Sequence, residues 1–453
     1  MIYKLSFLSF ILLTFTSCGT VETSSPNKEK DPIQTTDTKT TDVKVTCTPT
    51  NNSSLFNQKQ QINSMNIEVE DSLKLLLKNS PTKIQKTIFN KEGLYTLFKT
   101  EYFWADKTPK NLDINNYNEP QELIKDARYK EDKWSFAITP KAYTNVTSQK
   151  SVGIGFSCQD MREGCLITYV KLDSPADKID LRRGDIIQKV NNQTATQKLI
   201  YDKGKESKEL TFTLLRHNSN EECRGTVLPR EYNYSVVASK TLQTPKNETV
   251  AYLRLDSFLG EEKIEAQLED VFNRFKQESI EKLVIDLRYN GGGSVSLASK
   301  LLNKFVVHKE GETQFTLAWN EEYKKENEPY LFKKTANALD LKQILFLTTK
   351  NSASASELII SAMMPYLPEE DVVIIGDSTH GKPVGMRGKS DTNYYYFLIN
   401  FVVKNSLGFY DYFDGIPVTG GCNIKDDPFH EMGDKNEAML KSALKYIDEG
   451  SCQ

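Results

Sequence analysis

Three short stretches carry residue types that could do chemistry together. Lys350-Asn-Ser-Ala-Ser-Ala-Ser-Glu357 holds Ser352, Ser354 and Ser356 among small residues, Thr379-His-Gly-Lys-Pro383 holds an imidazole and an amine, and Arg288-Tyr-Asn-Gly-Gly-Gly293 is a glycine turn. A serine hydroxyl attacks a carbonyl when a base takes its proton and preset donors receive the oxyanion. His380 and Lys382 are the nearby choices of base. A lysine serves only if burial and lack of counter-charge pull its pKa far below about 10.4. No histidine–carboxylate pair presents itself, since Asp371 and Asp377 carry no partner signature. The bland alternatives are a helix cap for each serine, a solvated surface side chain for Lys382 and a loop side chain for His380.

The elements around these stretches put all three in one kind of place. Ile344 to Thr349 is an apolar run short enough for a buried strand, and Leu358, Ile359, Ala362 and Met363 recur at helical spacing, so the serines read as a tight turn into a helix start. A helix start offers free N–H groups and a positive dipole end. Leu283 to Leu287 runs as a strand into the glycine turn, and Asp371 to Ile375 precedes the His380–Lys382 loop. Open α/β sheets place their sites at such strand C-termini. Strand and helix alternate from 247 to 449, predicting an α/β core on a largely parallel sheet. From 148 to 238 the pattern is one of short strands and Gly-rich turns, and 54 to 146 reads as mostly helical, with Leu94, Leu97, Phe98, Tyr102 and Phe103 on one apolar face.

The chain has 453 residues, 38% hydrophobic content and a net charge of −3, which fits two or three soluble domains and gives no basic footprint for nucleic acid. Leu5 to Phe15 is an apolar run of secretory-signal length. It ends in Thr16-Ser17-Cys18, which resembles a bacterial lipobox; the expectation is loss of residues 1–17 and lipidation of Cys18. Residues 18–53 read as a solvated flexible tether. This predicts a lipid-anchored protein of the bacterial cell envelope, periplasmic or on the outer-membrane face. The other cysteines are Cys47, Cys158, Cys165, Cys223, Cys422 and Cys452. Exported cysteines pair; Cys158 could close a hairpin with Cys165, and Cys422 could tie down Cys452, but spacing leaves the connectivity open. None stands beside a histidine at metal-binding spacing, so no metal is assigned.

Two resemblances draw these readings together. Ser151-Val-Gly-Ile-Gly-Phe156, the strand Cys165 to Val170, Ser174-Pro-Ala176 and Gly184-Asp-Ile-Ile187 follow one another as in a PDZ domain. In that family the loop here spanning Gly153, Ile154, Gly155 and Phe156 holds a terminal carboxylate, and a chain end adds as an extra strand. Asp286-Leu-Arg-Tyr-Asn-Gly-Gly-Gly293, Ser352-Ala-Ser-Ala-Ser-Glu357 and Gly381-Lys382, in that order behind a helical segment and a PDZ domain, resemble the carboxyl-terminal processing protease family. The resemblance implies a helical N-terminal segment, a β-sandwich-like PDZ domain at 148–238 and an α/β core of ClpP/crotonase type at 247–449. It implies a cofactor-free Ser/Lys endopeptidase acting on flexible protein tails. By position Ser354 would be the nucleophile, Lys382 the general base, and the Ala355 and Gly292 N–H groups the oxyanion hole. Gly292 is preferred to Gly291 because many relatives carry proline at the latter's position. The spacing from Ser354 to Lys382 is a few residues longer than usual, and a family aspartate sometimes placed in the site has no match. The family often has a glutamine four residues beyond the lysine, and this chain has Met386, which donates nothing. That makes a catalytically impaired, lipid-anchored PDZ scaffold the competing reading. A carrier of apolar ligands, as among retinoid-binding relatives of this fold, is a third, opposed by retention of all three motifs.

Overall fold

The structure is a computed structural model that describes residues 42–49, 89–216 and 221–453. The expected signal peptide, Cys18 and residues 54–88 of the expected helical segment lie outside the described residues. Among the described residues no helix is long and apolar enough to cross a membrane.

The core sheet has five strands in the order 237–243, 249–255, 282–286, 343–348, 372–376. The first pair is antiparallel and the rest are parallel, as the alternation predicts. Its strands are apolar at successive positions because both faces are covered. Ala251, Leu253, Leu283, Ile285, Ile344 and Phe346 face the helices Glu261–Gln277, Val295–Leu302 and Ala355–Met363. Tyr252, Val284, Leu345, Leu347, Val373 and Ile375 pack instead with Met439, Leu440 and Leu444 of the last helix, Ala438–Glu449. A second sheet is antiparallel, in the order 328–331, 313–319, 395–405, 384–390. The short strand Phe136–Ile138 pairs with Tyr395–Phe397 of that sheet, so Phe136 is extended where a helical segment was expected. Helices Lys91–Lys99 and Pro120–Ala127 bury Leu94, Phe98, Leu123 and Ile124 against its Tyr396, Leu398 and Val402.

The domain expected to be PDZ-like is a sheet in the order 43–49, 221–227, 210–215, 186–190, 164–170, 156–161. Its first strand corrects the tether expected over 18–53. Val43–Pro49 pairs with Glu221–Val227, and Cys47 is bonded to Cys223. The pairs Cys158–Cys165 and Cys422–Cys452, two possibilities among a connectivity the sequence left open, form. Strand Phe156–Met161 ends the sheet path and leaves one edge open, beside helix Gln197–Gly204, whose Gly204 faces Ile154.

PDZ domain and core meet through buried charge. Arg288 has no exposed surface. It donates to both oxygens of Asp286 and of Glu437, each at 2.9 Å, and to Asp426 at 2.6 Å. From the PDZ side Arg183 donates to Asp426, to the Tyr289 hydroxyl and to the Thr168 carbonyl. Burial alone would raise the Asp426 carboxyl, but the Arg183 and Arg288 guanidinium groups overcome it and hold the pKa at about 2. A depressed folded value means stability that is present above the unfolded pKa and lost as pH falls through the folded one. Asp426→Asn should therefore be less stable than wild type at pH 5, with the gap narrowing by roughly 2 kcal/mol toward pH 2. Urea unfolding of both proteins at several acid pH values measures it; parallel curves would show that Asp426 is not held ionised.

Candidate active site

The serine turn is built so that its three hydroxyls have different fates. Ser352 and Ser356 are buried. Ser352 Oγ donates to the Leu287 carbonyl at 2.8 Å and Ser356 Oγ to the Asn290 carbonyl at 2.9 Å, so both tie the turn to the glycine loop. Ser354 is the partly exposed member. It is the N-cap of the helix Ala355–Met363 with φ 57° and ψ −111°, a conformation that costs a non-glycine residue on the order of 1–3 kcal/mol. Such strain persists only where the surroundings over-determine it, and here they do.

The main surrounding constraint is Glu357, one turn into the helix and fully buried. Its Oε2 accepts from Ser354 N–H at 2.7 Å and from Lys382 N–H at 2.9 Å. Its Oε1 accepts from Gly381 N–H and from the Thr379 hydroxyl, each at 2.6 Å. One carboxylate oxygen thus bridges the backbone of Ser354 and that of Lys382. Burial raises the Glu357 pKa, opposed by these four donors. The sequence reading treated this residue only as the end of a motif. A signal was available, since it is the single charged side chain in a helix otherwise made of small and apolar residues.

His380, the other sequence candidate for the base, is exposed. Its Nδ1 faces the Lys350 carbonyl at 3.3 Å, and its Nε2 accepts from the Trp134 indole at 3.4 Å. One tautomer, with the proton on Nδ1, satisfies both contacts, leaving no ring nitrogen turned to the serine. Lys382 is half-buried. Met386, on strand Val384–Ser390 opposite Ile399, packs against the apolar cluster of the N-terminal helices.

The glycine turn corrects one expectation. Gly292 N–H is not open to an oxyanion; it donates to Asn290 Oδ1 at 2.9 Å, closing a side-chain turn. What Gly292 supplies is space. It has φ 99°, and a Cβ there would stand 2.8 Å from Ser354 Cβ and 2.9 Å from Ala355 N, blocking the N–H expected to meet an oxyanion. In the PDZ domain the carbonyls of Ile154 and Gly155 accept from Ala176 and Lys171, each at 2.9 Å, which fixes the turn Gly153–Phe156 at the head of the open edge strand.

Fold and site define an α/β core with a strained serine at a helix start, a lysine loop tied to it, and a PDZ domain attached. The sequence pattern of Peptidase family S41 matches residues 249–391, that of the Peptidase S41 N-terminal domain matches 91–136, and that of the PDZ domain matches 144–198. A "Probable CtpA-like serine protease" of Staphylococcus aureus is 25% identical over 315 residues, 68% of this chain and 59% of its own length. One of the same name from Staphylococcus epidermidis is 25% identical over 389 residues, 80% of this chain and 75% of its own. The chain thus spans less than two thirds of the first of these relatives. The crystal structure of an S41 protease candidate from Bacteroides fragilis superposes with a TM-score of 0.69 at 20% identity, covering 81% of this chain and all of that one, and so shares the fold. These matches support placing the chain with the carboxyl-terminal processing proteases of family S41, whose pattern covers its residues 249–391.

Gly311 separates the two demands placed on Gly292, because it also has positive φ but nothing within 4 Å of a built Cβ. Gly311→Ala should cost only the backbone term, about 1 kcal/mol, and Gly292→Ala roughly 1–3 kcal/mol more for overpacking against the serine turn. Denaturant unfolding of the two variants decides; equal losses would mean that the close approach to Ser354 is not real.

Proposed function

We propose that the protein is a serine endopeptidase in which Ser354 is the nucleophile and Lys382 its general base. The observation that carries the reading is the shared Glu357 oxygen, which brings the main chains of these two residues within two hydrogen bonds of each other. The buried, engaged hydroxyls of Ser352 and Ser356 and the committed ring of His380 favour the same choice.

Neutral Lys382 takes the proton from Ser354 Oγ as the oxygen attacks the scissile peptide carbonyl. The charge that develops on the carbonyl oxygen is received by Ala355 N–H at the helix start. The second donor in this proposal is Gly293 N–H. Gly293 sits in a parallel bridge with Phe258, in which Phe258 N–H donates to the Gly292 carbonyl and Ser294 N–H to the Phe258 carbonyl; its own N–H therefore points the other way. Protonated Lys382 gives its proton to the leaving amine, and water then hydrolyses the acyl-enzyme by the reverse path. Substrates are protein or peptide tails whose C-terminus adds to the open PDZ edge at Phe156–Met161, with the carboxylate in the Gly153–Phe156 loop. Lipidation of Cys18 and an envelope location complete the proposal.

Cleavage of a model tail peptide should be abolished in Ser354→Ala and in Lys382→Ala, falling by at least about 10³-fold, and should persist in His380→Ala. With lysine as the base, activity rises with pH along a limb above that of an unperturbed histidine near pH 6.5. Equal activity in all three variants would sink the assignment. Tail binding without cleavage, and without a serine-reactive probe labelling Ser354, would favour the scaffold reading.

A further inference from the structure

We propose that Glu357 is a positioning residue whose buried carboxylate locks the serine turn to the lysine loop, so that chemistry at Ser354 depends on that lock. The inference rests on the Ser354–Lys382 reading and extends it to a residue that touches neither reacting atom.

Helix capping does not account for the arrangement. A residue at the third helical position that reaches back to the N-cap uses one acceptor site, for the Ser354 N–H. The other three bonds leave the helix and end on the loop that carries Lys382: Thr379 Oγ1, Gly381 N–H and Lys382 N–H, at 2.6 to 2.9 Å. Thr379 Oγ1 in turn accepts from Ile416 N–H at 2.7 Å, which fastens the loop to a third segment. That segment presses closely, since a Cβ on Gly381 would meet the Phe413 carbonyl at 2.2 Å and one on Gly415 the Thr379 carbonyl at 2.2 Å. The loop is thereby held to one backbone path, and Glu357, with the bond from His380 N–H to the Ser352 carbonyl at 2.9 Å, sets where that path runs relative to the serine.

The side-chain chemistry is specific. An ionised carboxylate is acceptor-only and can take four donors at once. A glutamine of the same shape would turn an NH₂ group toward two of the four donors. Met386 offers no polar group, and the Lys382 main chain is held at its N–H by the same carboxylate. The same carboxylate holds Ser354 at φ 57°, and a misplacement of about 1 Å in such a constellation costs on the order of 10²-fold in rate.

The test uses the full chain and three readouts: kcat and KM on a tail peptide, the rate at which a fluorophosphonate probe labels Ser354, and amide hydrogen exchange. Glu357→Gln should lower kcat and labelling about 10²-fold, leave KM within about threefold, and speed exchange in 352–357 and 379–382 together. Peptides from the PDZ domain should not change. Thr379→Val removes one of the four donors and leaves the carboxylate in place; it should lower kcat about tenfold, which keeps the idea testable if Glu357→Gln fails to fold. A folded Glu357→Gln enzyme with kcat within threefold of wild type would overturn the proposal. So would faster exchange confined to the helix start, which would reduce Glu357 to a cap. Wild type that neither cleaves nor labels at Ser354 would sink the nucleophile reading instead, and hydrogen exchange would still decide whether the lock exists.

Discussion

A carboxylate with no exposed surface must find its hydrogen bonds inside the protein, and an unpaired one would be costly enough to neutralise or unfold its surroundings. Four donors meet that demand at Glu357. Its donors are three backbone N–H groups and one hydroxyl. The demand is geometric: those four bonds form only while the turn before the helix and the loop after strand 372–376 stand at fixed separation. The two segments lie 22 to 25 residues apart in the chain at their shared contacts, from Thr379 to Lys382 on Glu357. No local preference could hold them together; one desolvated charge does, beside a backbone bond from His380 N–H to the Ser352 carbonyl at 2.9 Å.

A second buried charge organises the opposite side of the glycine turn. Arg288 ends the central strand and fastens it to Asp286, Glu437 and Asp426, and its carbonyl accepts from the Thr349 hydroxyl at the end of the neighbouring strand. Tyr289 follows with its hydroxyl on Asp426, and Asn290 then closes the turn on Gly292 N–H while its side-chain amide donates to the Leu255 carbonyl at 2.8 Å. The PDZ domain enters the same cluster through Arg183. Three consecutive residues thus join the PDZ contact, the core sheet and the space in front of Ala355. Breaking a fully buried ion pair by removing one partner typically costs 3–5 kcal/mol, so this junction is rigid unless all its charges move as a set.

The sequence made some of this plain and hid the rest for identifiable reasons. The core sheet was legible because strands buried on both faces run apolar at successive positions, as Leu283 to Ile285 and Ile344 to Leu347 do. The serine turn was legible because small residues stand between a strand and a helix pattern. Phe136 was misplaced because a three-residue strand has too little period to read and owes its form to Tyr395–Phe397, far along the chain. The strand Val43–Pro49 was lost inside a polar stretch; its pairing depends on Cys223, 176 residues away. Gly292 was placed correctly beside the serine but given the wrong task. Its N–H goes to Asn290 Oδ1, a bond between near neighbours that depends on a side-chain rotamer no spacing rule contains. Glu357 was read as the last letter of a motif, since a glutamate at that helical position is already explained by capping, and its three other partners exist only in space.

The same energetics bear on whether the core is a catalyst or the inert body of a PDZ scaffold. Tail binding as proposed asks only for the open edge at Phe156–Met161 and the Gly153–Phe156 turn at its head. It needs neither Ser354 at φ 57° nor a glutamate stripped of water beneath it. The strain is of order 1–3 kcal/mol, a sizeable fraction of the 5–15 kcal/mol by which a domain is stable, and a relaxed helix start would remove it without disturbing the sheet. What the strained turn does achieve is to leave the Ser354 side chain, unlike buried Ser352 and Ser356, partly exposed at the helix start, next to the Ala355 N–H and over the gap left by Gly292. Met386 does not overturn this. It removes one way of orienting a lysine, and the lysine's own backbone is already held at its N–H by the carboxylate that holds the serine.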